Sequence, residues 1–330
     1  MKIKENIEFG TTIALWGQCS DRFLSQGYKS ATTFEEKIEL ISSIKDIKGV
    51  DLYGDWDVNT ENVDEISASL KKYDLKTYLI ASDINSLPEF GRGSICSPYQ
   101  ESRELAWKKI KESIDIARKL SAPMVDICFM QDGFDYSFQI DYVWAWETII
   151  NTIRIAAEYA APDIKIGLEY KAREPRTNIF TANASKMLLI SERIKKDNVG
   201  IIIDAGHGYI AGENVSETLA LCKIAGDKLY YIHFNDNHKK WDDDMMVGSV
   251  HPFELLEFLY WLEKTNYNGP YVLDMFPYRE DPFGAARESI EFIKDMRNVL
   301  KKLDEKDIKS ILDRQDAVAA MKLMRELFVK

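Results

Sequence analysis

Strand-like and helix-like segments alternate along nearly the whole chain, from residue 9 to about residue 302. Eight segments combine the length and the apolar, β-branched or aromatic content of strands. They are residues 9–16, 49–56, 76–82, 124–130, 166–171, 200–204, 229–235 and 269–274. Amphipathic segments with helical spacing separate them, and a barrel of eight such units takes about 250 residues. The 330-residue sequence therefore predicts an α/β fold, a single (β/α)8 barrel rather than an open sheet.

The composition does not change along the chain, which argues against a second domain. We expect the barrel to occupy residues 1–303. Residues 304–330 form an amphipathic segment, which predicts a short C-terminal helix that covers the underside of the barrel or a neighbouring subunit.

Charge and cysteine usage exclude several classes of protein. The formal net charge of -11 disfavours a nucleic-acid partner, which needs a basic face, and it disfavours an anionic membrane surface. No apolar run approaches the roughly 18 residues of a membrane span, and the first residues lack the apolar core of a signal peptide. The four cysteines form no CxxC pair, so we expect reduced thiols and a cytoplasmic location.

Segment 166–171 carries an apolar face and a charged face. The side-chain period of two directs Glu169 and Lys171 to the same side of the strand. Burying an unpaired ion is costly, so a buried charged face needs a metal, a substrate or other charges. The alternative is a Glu–Lys pair that faces solvent at the end of the strand.

Acidic, imidazole or amide side chains also follow the next three predicted strands. They are Asp204, His207, His233, Asn235 and Asp274. The carboxyl ends of the strands of a barrel converge on one mouth, where the chemistry takes place. Singly, each residue has an ordinary explanation as a helix cap or a core residue. Together with Glu169, at consecutive strand ends, they predict a metal site.

Asp242 and Asp244 come shortly after segment 229–235 and predict a second cation site beside the first. Their carboxylates project together if the segment is extended, whereas a solvated loop is the alternative. Carboxylate oxygens combined with imidazoles favour Mn, Mg, Co or Zn over metals that prefer thiolates. We therefore expect two divalent cations.

Four ordered motifs of this sequence resemble those of the xylose isomerase and rhamnose isomerase group of sugar isomerases. E-x-K-x-x-E-P-R is present as Glu169, Lys171, Glu174, Pro175 and Arg176. A strand acid followed by G-H is present as Asp204, Gly206 and His207, and D-x-D as Asp242 and Asp244. G-P-x-x-x-D-x-x-P-x-R is present as Gly269, Pro270, Asp274, Pro277 and Arg279. The match is close over the last four predicted strands and loose before them.

The resemblance implies a ligand set for each cation. A structural cation would bind Glu169, Asp204, Asp274 and a residue of segment 229–235. A catalytic cation would share Glu169 and bind His207, Asp242 and Asp244. Xylose isomerases have an Asp where Asn235 stands, and rhamnose isomerases use a His. This difference favours His233 as the strand ligand and the rhamnose branch of the group.

The activity that the resemblance implies is aldose–ketose isomerisation. Lys171 would donate to the carbonyl oxygen O1, Glu169 would take part through its cations, and Asp274 or Asp242 would be the base. No glycine-rich phosphate loop is visible, which favours an unphosphorylated sugar. No His precedes His207, so the ring-opening His of xylose isomerases has no counterpart. We expect a small sugar as partner, and a homo-oligomer, either a dimer or a tetramer.

Four residues are candidates for contacts with the sugar: Trp16, Phe134, Asn235 and Arg176. Trp16 and Phe134, with Trp56 a weaker candidate, would form an apolar wall, although packing explains aromatic residues equally well. The main alternative function is a ketose 3-epimerase of the same fold, which uses two glutamates around one metal. Asp274 is shorter than the second glutamate, and the D-x-D pair has no role in that reaction. A barrel endonuclease and an inactive sugar-binding barrel are less favoured alternatives.

Overall fold

Eight parallel strands close into a barrel in the computed structural model, which describes residues 3–328. The strands in chain order are β1 (Phe9–Thr12), β2 (Ile47–Tyr53), β3 (Lys76–Ala81), β4 (Met124–Cys128), β5 (Gly133–Phe134), β6 (Lys165–Glu169), β7 (Asn178–Ile179), β8 (Val199–Asp204), β9 (Leu229–Phe234) and β10 (Tyr271–Leu273). The barrel order is β1-β10-β9-β8-β6-β4-β3-β2, and β5 pairs with β7 in a separate antiparallel sheet. The predicted (β/α)8 barrel is confirmed.

Helices surround the barrel and cover its outer face. They are α1 (Phe34–Ser43), α2 (Val63–Lys72), α3 (Gln100–Leu120), α4 (Tyr142–Ala160), α5 (Ala184–Ile194), α6 (Ala205–Ile210), α7 (Val215–Ile224), α8 (Pro252–Lys264), α9 (Pro282–Lys301), α10 (Glu305–Arg314) and α11 (Ala317–Phe328). Apolar side chains fill the layer between strands and helices. None of the helices within residues 3–328 is long and apolar enough to cross a membrane.

The C-terminal segment forms two helices, α10 and α11, where the sequence predicts one. Gln315 adopts a left-handed conformation, with φ 52°, and caps α10. Asp316 then accepts a hydrogen bond from the backbone of Ala319 and starts α11. Residues 1, 2, 329 and 330, which the predicted domain limits include, lie outside the described residues.

The barrel interior is apolar at its base and polar towards the carboxyl ends of the strands. Gly167 of β6 leaves room for Ile202 of β8, because a Cβ atom at position 167 would lie 2.6 Å from the Ile202 side chain. Two residues further along β6, Glu169 enters the polar region and is buried. The packing of the base thus brings the charged strand ends together at the mouth.

Candidate functional site

Four buried side chains from four neighbouring barrel strands or their ends converge at the mouth of the barrel. Each side chain offers one potential ligand atom, and these four atoms all lie within 4.8 Å of one another. We call this set the first ligand group: Glu169, Asp204, His233 and Asp274. His233 Nδ1 lies 3.3 Å from Glu169 Oε2 and 3.6 Å from Asp274 Oδ2. The group offers three carboxylates and one imidazole nitrogen, a donor set that suits a divalent cation.

His233 is oriented towards this group by a residue behind it. Its Nε2 atom lies 3.0 Å from Asp51 Oδ2, and the Tyr231 hydroxyl donates to Asp51 Oδ1 at 2.7 Å. The Nδ1 atom of His233 is buried and has no hydrogen-bond partner. A carboxylate that holds the second nitrogen of a ligating His is the usual support in metal sites. The unpartnered nitrogen, aimed at three carboxylates, therefore fits a bound cation.

A second ligand group, His207, Asp242 and Asp244, lies beside the first. His207 Nδ1 lies 2.9 Å from Glu169 Oε1, although without hydrogen-bond geometry, and its Nε2 lies 2.9 Å from Asp242 Oδ2. His207 thus connects the two groups.

Lys171 neutralises part of the second group from within the protein. Its Nζ atom lies 2.7 Å from Asp242 Oδ2 and 3.0 Å from Glu174 Oε2. Burial opposes the charge on Lys171, but Asp242 and Glu174 outweigh it and raise the pKa of the lysine well above its usual value. Lys171 is therefore a buried ammonium group, charged at neutral pH.

The pKa values of the three carboxyl groups in the first group shift in different directions. Burial alone would raise the pKa of Glu169, but the imidazoles of His233 and His207 lower it below its usual value. Burial, opposed by His207, raises the pKa of Asp204 to about 7. Burial also raises the pKa of Asp274. The protein alone does not supply enough positive charge to keep all three carboxylates ionised.

Asn235 lies between the two groups. Its Nδ2 atom donates to Asp204 Oδ2 at 2.8 Å and to Asp244 Oδ1 at 3.0 Å, and its Oδ1 accepts from the backbone of Gly206 at 2.8 Å. All three contacts are with the protein, so the structure gives Asn235 a positioning role. Its contact with the sugar stays a prediction.

The other three residues predicted to contact the sugar, Trp16, Phe134 and Arg176, are not among the residues that line the inner cavity. Trp16 is buried in a short 3-10 helix because the chain leaves the strand after Thr12, and its Nε1 donates to Thr11. Phe134 lies in β5 and packs against Phe180. Both side chains contact other protein residues, and the apolar wall of Trp16 and Phe134 stays a prediction.

Arg176 joins the loops around the mouth. Its Nη1 atom lies 2.8 Å from Asp135 Oδ2, and its Nη2 donates to the carbonyl of Gly91 at 2.6 Å. In the structure this arginine is a support of the loops, and a contact with the sugar stays a prediction.

An inner cavity of about 260 Å³ is lined by Glu169 and Asp274 of the first group, by all three residues of the second group and by Lys171. Trp56, Ser82, Asn85 and Asp126 line it as well. It opens into an outer cavity of about 920 Å³, with which it shares Glu174, Asp242, Asp244, Phe276 and Tyr278.

Asp51 and Asp126 have only weak signals in the sequence. Each is a single carboxylate between apolar residues of a strand, in Val50-Asp51-Leu52 and Val125-Asp126-Ile127. A charged residue in such a buried strand is unusual and indicates a functional environment.

With this barrel and this site, the chain belongs to the xylose isomerase-like TIM barrel family, whose model matches residues 38–296. The xylose isomerase of Thermus thermophilus is 27% identical over 223 residues, which cover 66% of this chain and 57% of that enzyme. The chain thus matches little more than half the length of its curated relatives.

Solved structures share the fold at lower identity. A D-tagatose 3-epimerase-like protein has a TM-score of 0.70 at 18% identity and covers 90% of this chain and 99% of its own. The 3-keto-D-glucoside 4-epimerase of E. coli has a TM-score of 0.69 at 18% identity and covers 88% of this chain and 100% of its own. At this level of identity, the likeness shows the barrel alone.

Proposed function

We propose that this protein is a divalent-metal-dependent isomerase that interconverts an unphosphorylated aldose and its ketose. The observation that carries the proposal is the position of Lys171. The buried ammonium group lines the same inner cavity as Glu169 and Asp274, two members of a group of four potential metal ligands. Sugar isomerisation needs both features, because negative charge develops on two neighbouring oxygens of the substrate. The family and the xylose isomerase relatives support a sugar isomerase or epimerase.

In this proposal, Glu169, Asp204, His233 and Asp274 hold one cation. A second cation would bind His207, Asp242 and Asp244 and share Glu169. Bound Mn, Mg, Co or Zn would act as a Lewis acid that stabilises negative charge on the sugar oxygens.

The protein's own groups orient the substrate and move protons. Lys171 Nζ donates a hydrogen bond to the carbonyl oxygen O1 and stabilises the charge that develops there. Asp242 Oδ2 contacts both Lys171 and His207, whereas its Oδ1 atom has no hydrogen-bond partner and is the atom free to accept a proton. Asp274, whose pKa burial raises, is the other candidate base. Aromatic residues at the mouth, Phe276 and Tyr278, limit the access of water.

A screen of unphosphorylated sugars tests the proposal. The protein is treated with a chelator, reloaded with Mn or Co, and incubated with aldoses and ketoses of five and six carbons. We expect interconversion of one aldose–ketose pair, measured by NMR, that stops on chelation and returns with metal. Absence of turnover of every pair with either metal would contradict the proposal.

A ketose 3-epimerase is the second candidate, and the compactness of the first ligand group favours it. This group alone suits the single metal of such an epimerase, while Asp242 is occupied by Lys171 and His207. The same NMR screen distinguishes the two reactions. Inversion at C3 of a ketose without formation of an aldose would assign the epimerase.

The expected assembly and location belong to the same proposal. We propose a dimer or tetramer in the cytoplasm, and light scattering after gel filtration measures the mass of the particle. A mass of one chain, 38.0 kDa, would contradict the oligomer.

A further inference from the structure

Three of the buried polar atoms without a hydrogen-bond partner around the inner cavity belong neither to the two ligand groups nor to the Lys171–Glu174 pair. They are Ser82 Oγ, Asn85 Oδ1 and Asp126 Oδ1. We call the three residues the polar wall. Ser82 is 5% exposed and Asp126 4% exposed. Buried polar atoms are nearly always paired, so three unpaired atoms beside one cavity require a partner from outside the protein.

The polar wall comes from a part of the barrel that the metal ligands do not use. The ligand residues belong to β6 and β8–β10 or follow them, whereas the wall belongs to β4 and the chain after β3. The backbone N–H of Ser82 donates to the carbonyl of Asp126 at 3.0 Å, and Asn85 Nδ2 donates to the carbonyl of Cys128 at 3.1 Å. These bonds hold the three residues in place. Ser82 Oγ, Asn85 Oδ1 and Asp126 Oδ1 take no part in them.

The free atoms accept hydrogen bonds. Asn85 Oδ1 is an acceptor, and the Ser82 hydroxyl both donates and accepts. Burial raises the pKa of Asp126 well above its usual value, so its carboxyl group also donates and accepts. Their complement is a ligand with several hydroxyl groups. A phosphate or carboxylate at this position would be repelled by the neighbouring Asp83, which also lines the cavity.

An aromatic surface lies beside the wall. The rings of Trp56 and Tyr53 stack with centroids 5.5 Å apart, and both residues line the inner cavity. Trp56 Nε1 donates to Asp83 Oδ2 at 3.1 Å, which holds the indole in place. Hydroxyl acceptors next to an aromatic face are suited to a sugar, which combines polar oxygens with apolar C–H groups.

We propose that Ser82, Asn85 and Asp126 bind the hydroxyl groups of the substrate beyond the two reacting carbons and restrict it to neutral, fully hydroxylated monosaccharides. The proposal rests on the proposed function, since it places a sugar in the inner cavity. The cavity volume of about 260 Å³ lies just below the range of pockets that bind drug-sized ligands. A cavity of this size suits one monosaccharide.

Calorimetric binding to the Mn-loaded protein tests the proposal without requiring turnover. The probes are D-xylose, L-rhamnose, D-fructose and D-allulose, then deoxy analogues and the terminal phosphate ester of the sugar that binds most tightly. We expect Ser82→Ala to weaken binding of the parent sugar about tenfold. The deoxy analogue that lacks the contacted hydroxyl should bind wild type and Ser82→Ala equally. The phosphate ester should bind wild type more weakly than the parent, and Asp83→Asn should reduce that difference.

Ser191→Ala is the matched control, because Ser191 is equally buried but its Oγ donates to the carbonyl of Val199, outside the cavity. We expect this control to lower the melting temperature and leave sugar affinity unchanged. Ser82→Ala should not lower the melting temperature, because its hydroxyl has no partner in the protein.

Three results would overturn the proposal: no binding of any sugar in the panel, equal affinity of Ser82→Ala and wild type for the parent sugar, or equal binding of the phosphate ester. If the expected affinities are found but no sugar is turned over, the proposed reaction fails and the assignment of the polar wall stands.

Discussion

The two ligand groups at the barrel mouth differ in the source of their positive charge. The first group has three carboxylates around His233, and within residues 3–328 these carboxylates form ion pairs with the imidazoles of His233 and His207 and with no lysine or arginine. In the second group, Lys171 lies 2.7 Å from Asp242, so the protein supplies its own cation. Buried carboxylates without a counter-ion are costly. The first group therefore depends on a cation from solution, while the second is partly neutralised without one.

Removing Lys171 should have the largest effect of the changes that probe this difference. We expect Lys171→Ala to lower turnover about 10²–10⁴-fold, because the proton donor to O1 is lost. The first group should keep its cation, since Lys171 is not among its ligands. Mass spectrometry of bound metal and a turnover assay measure the two effects. Lys109→Ala is the control, as Lys109 pairs with Asp55 away from the inner cavity. Normal turnover of Lys171→Ala would remove the lysine from the mechanism.

Cation removal should make stability depend on pH through the first group. The pKa of Asp204 is raised by burial to about 7, above its value in an unfolded chain, so the cation-free folded state binds the proton more tightly. Stability should fall by about 2 to 4 kcal/mol as the pH rises from about 4 to 7, because folding then requires a buried charge.

Urea unfolding between pH 5 and 8, with chelator or with Mn, measures this dependence. Mn should flatten it, because the cation neutralises the carboxylates, and Asp204→Asn should flatten it without Mn. An equal slope in the cation-free wild type and in Asp204→Asn would show that Asp204 is not the titrating group.

The alternation of segments was sufficient to predict the barrel, since eight apolar strands separated by amphipathic helices have few other arrangements. The ends of the elements were less predictable. The apolar run 9–16 resembles one strand, but residues 14–16 turn into a 3-10 helix and bury Trp16. Likewise, Gln315 ends α10 although the apolar spacing continues through it. The local backbone conformation determines where the first strand and α10 end. The periodicity of apolar residues gives no information about that conformation.

The candidate ligands could be picked out in the sequence because each ends or follows a predicted strand, and all but His233 belong to a motif. Asp51 had only the weak signal of a carboxylate within an apolar strand, because its partner His233 is 182 positions away and only barrel closure brings them together. The same holds for the polar wall. Ser82 and Asn85 are ordinary loop residues until their lack of partners is seen in three dimensions.

A substitution of Asp51 should weaken cation binding by the first group alone. Asp51→Asn should reduce cation affinity about 10–100-fold, because the carboxylate no longer orients His233. The Tyr231 hydroxyl keeps an acceptor in the variant, so the fold should be preserved. Competition with a chelating dye measures the affinity. Asp57→Asn is the control, since Asp57 follows the same strand but accepts only from the backbone of Tyr53. Unchanged affinity in Asp51→Asn would show that His233 does not depend on Asp51.

The smallest effect should come from Asp244, which tests whether the two groups bind separately. Burial, together with Asp242, raises the pKa of Asp244 well above its usual value, so this carboxyl is largely uncharged before cations bind. Asp244→Asn keeps the acceptor for Asn235 Nδ2 and changes little charge. We therefore expect the affinity of the first group for one Mn ion to stay within about threefold, or about 0.7 kcal/mol. A tenfold loss would show that both groups hold a single shared ion.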